Sequence, residues 1–259
     1  MKRKQIALFL LFFLIFLTRW PFAQSLERNR SFLTSLKPGL GFEYFSRTIS
    51  WDVKKYTSKL KAVLAYLDAK YEIQEGFSAS LLLGYCSSNW NGLVFRKLPF
   101  SIDYEAGRKG GILIGAEIRK SLPAIGNFEI EGYAQFVTCL GLKKEWDLES
   151  LNTEGKVKGT PYWMRAAIGP IVTYTGFKDF YPYIYPSLNM LWGKYKMEQT
   201  VQDLIGKEDK MISGKSVFSL ALGSLYEITD QWSVKGEISL LPYKAGLDIG
   251  LRAEAFYSF

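Results

Sequence analysis

Glu129 and Glu131 stand two residues apart in NFEIEGYAQFVTCLG, and Glu117 falls in a nearby segment, GGILIGAEIRKSL. Carboxylates brought together can share a proton or divide the roles of acid and base. These three belong to a larger set. Glu43, Asp68, Glu72, Glu117, Glu129, Glu131, Glu237, Asp248 and Glu254 alternate with apolar neighbours, and so do Arg47, Lys70, Arg119, Arg165, Lys235 and Arg252. Charges withdrawn from water must be paired or hydrogen-bonded to be tolerated, so a mixed set of this kind reads as a network of ion pairs. The chain has no His. That removes Ser–His and Cys–His nucleophile activation, the commonest general base and most transition-metal sites. No phosphate-cradling glycine loop or metal-ligand spacing is present. The residues therefore lead us to expect no catalytic residue, no metal and no cofactor.

Such charges need elements to hold them, and the elements are strands. In GLDIGLRAEAFYSF, Leu247, Ile249, Leu251, Ala253, Ala255, Tyr257 and Phe259 share one face; Asp248, Gly250, Arg252, Glu254, Phe256 and Ser258 share the other. Side chains alternate across a strand, so one face is apolar and the other polar. Ten segments repeat this two-sidedness: 38–51, 59–73, 77–88, 110–121, 127–140, 160–174, 180–195, 214–227, 231–241 and 246–259. Pro170, Pro182 and Pro186 weaken the strands that carry them, so eight strands is the alternative count. The connections alternate as well. QEG, PAIGN, GFKD and TDQ are tight, whereas 89–109, 141–159 and 196–213 are long.

The leader, MKRKQIALFLLFFLIFLTRWPFAQS, has a basic start and an apolar run over 6–17. It is too short to span a bilayer, which takes ~20 residues, and has the flanks of a secretory signal. We therefore expect a signal peptide over 1–23, a periplasmic segment over 24–37 and a barrel over 38–259. The formal charge of +8 loses the leader's four bases, Lys2, Arg3, Lys4 and Arg19, leaving about +4 (8 − 4). That balance, interleaved with acids, argues against a nucleic-acid partner. No later run of ~18 apolar residues exists, so spanning helices are excluded. A secreted soluble β-protein and a membrane barrel remain. Short turns on one side and long loops on the other are the habit of membrane barrels, in which the apolar face meets lipid and the polar face lines the interior. Aromatic residues gather near the strand ends. Tyr71, Phe77, Phe128, Tyr174, Tyr226, Trp232, Tyr257 and Phe259 lie near one end; Trp51, Tyr162, Trp163, Trp192 and Tyr195 lie near the other. Interfacial girdles take such residues, with Tyr71, Tyr174, Trp192, Tyr226 and Trp232 as the outward-facing members.

Cys86 and Cys139 are the only cysteines. An exported chain can join two such residues in a disulfide. One strand is expected between them, which places their backbones roughly 10 Å apart at ~4.8 Å per strand. A bridge needs less than ~7 Å, and barrel curvature narrows the gap. A disulfide and two small buried thiols both stay open.

With these features the sequence resembles the small outer-membrane barrels of Gram-negative bacteria, the group typified by the outer membrane protein A transmembrane domain. Leu251, Ala253, Ala255, Tyr257 and Phe259 look like that group's C-terminal assembly signal. The resemblance implies an all-β, up-and-down antiparallel barrel in the outer membrane, inserted by the barrel-assembly machinery among outer-membrane lipids and lipopolysaccharide. The barrel enzymes of that membrane (omptin-type proteases, the phospholipase, the lipid A palmitoyltransferase and deacylase) depend on an active-site His, so an enzyme is not expected. The loop lysines Lys143, Lys144, Lys156, Lys158, Lys207 and Lys210, with Trp146 among them, suit lipopolysaccharide phosphates or plain solvation. A barrel of this size encloses little space. Two functions are carried forward. One is a structural or surface-interaction barrel whose extracellular loops meet an unknown ligand. The alternative is a narrow channel for small solutes or ions, lined by Glu129, Glu131, Arg119 and Arg165.

Overall fold

Alternating side chains commit these segments to extended chain, because only a period of two gives each segment one apolar and one polar face. The computed structural model describes residues 36–52, 56–104, 107–147 and 155–259, all within one compact unit spanning 32–259. The expected leader, and all of the 24–37 segment before Leu36, lie outside the described residues. Among the described residues there is no helix. The strands are β1 (Leu36–Trp51), β2 (Tyr56–Gln74), β3 (Phe77–Asn89), β4 (Leu93–Phe95), β5 (Ile102–Tyr104), β6 (Arg108–Ile125), β7 (Phe128–Gly141), β8 (Lys144–Asp147), β9 (Gly155–Tyr174), β10 (Phe180–Val201), β11 (Leu204–Gly214), β12 (Phe218–Glu227), β13 (Trp232–Tyr243) and β14 (Gly246–Tyr257).

Neighbour pairing closes a ring. β1, β2, β3, β6, β7, β9, β10, β12, β13 and β14 pair in that order, each antiparallel to the next, and β14 returns to β1. Closure leaves no free sheet edge, the condition for a sheet that spans lipid. The tight turns need backbone in the left-handed region, and Gly76 (φ 67°), Gly126 (φ 60°) and Asp179 (φ 58°) supply it between β2 and β3, β6 and β7, and β9 and β10. These are residue types that accept such angles.

The wall is inside out relative to a water-soluble fold. On β14 the apolar Leu247, Ile249 and Leu251 face outward, and Leu251 is 46 % exposed; Asp248 and Glu254 face inward, and Glu254 is 4 % exposed. Leu40, Phe42, Leu67, Leu81, Leu83, Ile112 and Ile114 continue the outward belt on neighbouring strands. At its turn side, Trp232 packs on Tyr257 with ring centroids 5.1 Å apart, and Tyr257 on Phe259 at 5.0 Å.

Two features differ from the sequence expectation. First, the long connections are partly strand. Segment 196–213 is a hairpin: β10 runs on to Val201 and β11 returns from Leu204, turning through Gln202 (φ 50°). β8 pairs with the outer end of β9, and 89–109 contains the β4–β5 hairpin. β8, β11 and the outer end of β10 carry charges on their outward faces, which masks the alternation when apolar content is the guide. The first strand also starts at Leu36, two residues before the expected 38. Second, Trp51, Trp163 and Tyr195 point inward and are fully or almost fully buried. Lying near a strand end does not put a ring in a girdle; the parity of its position decides, and these three share parity with lumen residues. Trp192, Tyr226 and Trp232 do face outward.

Candidate functional site

The inward positions of the membrane-level strands build one connected polar network. Glu117 on β6 is its hub and is 2 % exposed. One carboxylate oxygen accepts from Arg119 Nε at 2.8 Å and Nη2 at 2.6 Å. The other accepts from Tyr133 at 2.8 Å, Gln135 at 3.2 Å and Arg252 at 3.3 Å. Arg252 reaches on to Tyr66 at 2.9 Å and to Glu254. Glu254 also takes Lys235 at 3.3 Å. Lys235 is 3.9 Å from Glu237, which accepts from Tyr183 at 2.8 Å. Gln135 links this group to a second: its amide oxygen accepts from Arg165 at 3.2 Å, and Arg165 makes a two-pronged pair with Glu43. A planar guanidinium matched to a carboxylate is the geometry that best offsets burial of both charges.

The structure thus joins Glu43, Glu117, Arg119, Arg165, Lys235, Glu237, Arg252 and Glu254, with Glu131 at the margin, 3.8 Å from Arg119. It separates the others. Asp248 accepts from the Thr48 backbone N–H at 2.7 Å and hydroxyl at 2.8 Å, while Arg47 donates to Asn189 Oδ1 and the Ser216 carbonyl, each at 2.8 Å. Asp68 is buried, and one of its oxygens has no hydrogen-bond partner. Lys70 and Glu72 lie at the turn-side mouth of the lumen. Glu129 is exposed, so the Glu129–Glu131 pair does not form inside: Glu129 shares the inward parity but sits beside the turn, past the end of the enclosed wall. Tyr66 and Tyr183, which belong to the network, and Asn189, which holds Arg47, are residues that the charge pattern misses. Their signal is parity alone, since each occupies an inward position of its strand.

Above the belt the wall's polarity reverses. On β10, Tyr183, Tyr185 and Ser187 face in below, but Tyr195, Met197 and Val201 face in above, while Lys194, Lys196 and Glu198 face out. An interior expected to be polar throughout therefore has an aromatic and apolar core in its outer half, with Gln199, Glu208 and Lys210 buried beside it. The strands there have left lipid for water, and the ordinary rule of apolar inside, polar outside returns. The β4–β5 hairpin folds into this space. Its Phe95 and Tyr104, and Trp90 just before it, pack on Tyr195 with ring centroids 5.6, 4.8 and 5.6 Å away. Backbone N–H groups pin it, Lys97 to Glu208 at 2.7 Å and Phe100 to Gln199 at 2.8 Å. Lys210 bonds Asp52 at 2.8 Å and Glu208 at 2.7 Å. Burial opposes its charge, but those hydrogen bonds outweigh it and raise its pKa. Lys109 has no such partner: its Nζ lies 4.7 Å from the Trp146 ring centroid and makes no hydrogen bond. Burial, then the charge of Lys144, pushes its pKa down to about 8.

Cys86 and Cys139 are joined in a disulfide with Cα atoms 6.1 Å apart, much closer than the flat-sheet spacing implies. β6 passes between them, and its Gly111 makes the crossing. A Cβ on Gly111 would stand 2.9 Å from Cys86 Sγ and 2.6 Å from the Leu140 carbonyl oxygen.

A closed antiparallel barrel, apolar towards its surroundings and charged within, is a membrane-spanning β-barrel of the type that bacterial outer membranes contain. No family model matches the sequence, and no curated protein matches it. Solved structures do resemble the fold. The translocator domain of the autotransporter NalP from Neisseria meningitidis is 13% identical, with 87% of this chain and 89% of that one covered and a TM-score of 0.49. The outer membrane protease OmpT from Escherichia coli is 11% identical, with 91% and 100% covered and a TM-score of 0.46. The attachment invasion locus protein Ail of Yersinia pestis is 10% identical, with 86% and 98% covered and a TM-score of 0.34. At these identities the likeness concerns the fold alone. OmpT corrects one expectation: a protease stands among the similar barrels, so the fold has enzymatic members and the expectation that an enzyme is excluded does not stand. No particular reaction is assigned to this chain.

Proposed function

We propose that the chain is a bacterial outer-membrane barrel with a blocked lumen, which anchors its outer extension as a surface-interaction module. The observation that carries this reading is the outer core. Trp90, Leu93, Phe95, Trp163 and Tyr195 are all 0 % exposed in the outer half of the lumen, and the ion-paired network fills the inner half. A structure that fixes strands and a hairpin beyond the membrane around their own apolar core has the rigidity that a binding surface needs. Lys143, Lys158, Lys196 and Lys207 line an outward cavity of about 480 Å³ on this extension. Glu198 and Asp209 also line it, and Lys207 pairs with Glu198 at 3.0 Å; the excess of lysines suits the phosphates of lipopolysaccharide, while the outer turns remain for an extracellular ligand.

Planar-bilayer recording separates this reading from a channel. The refolded protein is expected to be silent at moderate voltage. Discrete, reproducible conductance steps from the wild-type barrel would overturn the blocked lumen and restore the channel alternative.

A further inference from the structure

Lys37 on β1 lies directly opposite Lys70 on β2. Both occupy inward positions of their strands, at the turn-side end. Like charges placed directly opposite on one sheet face repel each other, and among the described residues neither is joined to a carboxylate by an ion pair. The network above gives no reason for the pair, because its cations each meet acids: Arg119 with Glu117 and Glu131, Arg252 with Glu117 and Glu254.

The two lysines open into a cavity of about 250 Å³, which Arg119 and the hydroxyl residues Ser78 and Ser121 also line. At ~30 Å³ per water, it has room for a small anion and part of whatever carries it. The acids on the cavity wall are Glu72 and Glu131. Glu131 lies 3.8 Å from Arg119, and among the described residues neither acid makes an ion pair with Lys37 or Lys70, which leaves the lysine pair as the side that a ligand would neutralise.

We propose that this mouth is a binding site for a phosphate group entering from the periplasmic side, held between the Lys37 and Lys70 ammonium groups with serine hydroxyls as further donors. The repulsion between the lysines is then the empty state of a site, offset when a dianion sits between them. The site is independent of whether the outer half of the lumen is closed. Its phosphate has two chemical sources: a soluble phosphate compound, or the headgroup of an inner-leaflet phospholipid reaching over the rim.

The test uses the full chain, folded in a nonionic detergent and titrated with inorganic phosphate by calorimetry, with the heat-modification midpoint followed in parallel. Saturable binding is expected, with a rise in the midpoint. Lys37→Gln and Lys70→Gln should each weaken binding at least tenfold. Lys37→Glu supplies an ion pair in place of the repulsion. It should raise the midpoint without phosphate and abolish the response to it, a gain that a merely misfolded variant cannot show. Repeating the titration with phosphatidylglycerol in the micelles names the source. Competition that Lys37→Gln removes identifies a headgroup; unchanged phosphate binding identifies a soluble compound; either supports the site. Absence of saturable phosphate binding, or equal binding by both lysine variants and the wild type, overturns it.

Discussion

At the scale of single residues, position within the wall sets the consequence of each charge. Glu117 holds five donors from four side chains, two of them arginines. Glu117→Gln keeps its shape and removes the charge, leaving Arg119 and Arg252 poorly compensated in a buried place. The expected loss is about 3–5 kcal/mol, the range for stripping one partner from a buried ion pair, read as a lower urea midpoint for unfolding in vesicles. Glu129→Gln, at an exposed position, should stay within about 0.5 kcal/mol of wild type. Equal effects of the two would remove the network as a source of stability. Lys109 gives a pH-dependent case. Its pKa is pushed down to about 8 from an ordinary 10.5, by burial first and then by Lys144. Between those values the unfolded chain binds the proton more tightly than the folded one, so stability should rise with pH through that window. Lys109→Met should flatten the rise and be the more stable protein below pH 8. A wild-type midpoint that falls from pH 8 to 10 while the variant's stays level would refute this account.

At the scale of elements, β6 and the disulfide that crosses it depend on one glycine. Gly111→Ala would place a methyl group against Cys86 Sγ and the Leu140 carbonyl. It is expected to lower the oxidised fraction, measured by mass after thiol alkylation under denaturing conditions. Replacing both cysteines with Ser should cost about 2–4 kcal/mol. The crossing also shows where sequence reading stops. Alternation and turn residues located every ring strand but not every end: β9 starts at Gly155 rather than 160, β10 runs to Val201 rather than 195, β6 to Ile125 rather than 121, and β12 starts at Phe218 rather than 214; they also put Glu43, Arg165, Arg252 and Glu254 on the right face, because both signals are local. Flat-sheet spacing gave about 10 Å for the cysteines, where curvature and a missing side chain bring the Cα atoms to 6.1 Å. Which charge meets which is likewise non-local: Glu43 and Arg165 are 122 residues apart. The outer hairpins were hidden for a different reason. Their alternation persists, but its polarity is reversed beyond the lipid, so a guide tuned to apolar-out strands passes over Lys196 and Glu198 as loop.

At the scale of the whole molecule, that reversal locates the membrane. Along β10 the outward face changes from Ile184 and Leu188 to Lys194 and Lys196, with Trp192 between them. An indole at the change of polarity sits where interfacial aromatics prefer to lie. The belt below it makes a demand that no water-soluble fold shares. Leu251 projects outward near the middle of β14 and is 46 % exposed. If the belt meets lipid, Leu251→Lys buries a charge in hydrocarbon and should cost roughly 2–4 kcal/mol in vesicles, as lysine does near the midplane of such barrels. Lys194→Leu, above the belt, should cost little by comparison, since its loss concerns only a partly exposed pair with Asp209. In water the order reverses, because replacing an exposed leucine with lysine relieves apolar surface. Unfolding both variants in phospholipid vesicles therefore tests the architecture directly. A Leu251→Lys protein as stable as the wild type would mean that this face never meets the bilayer.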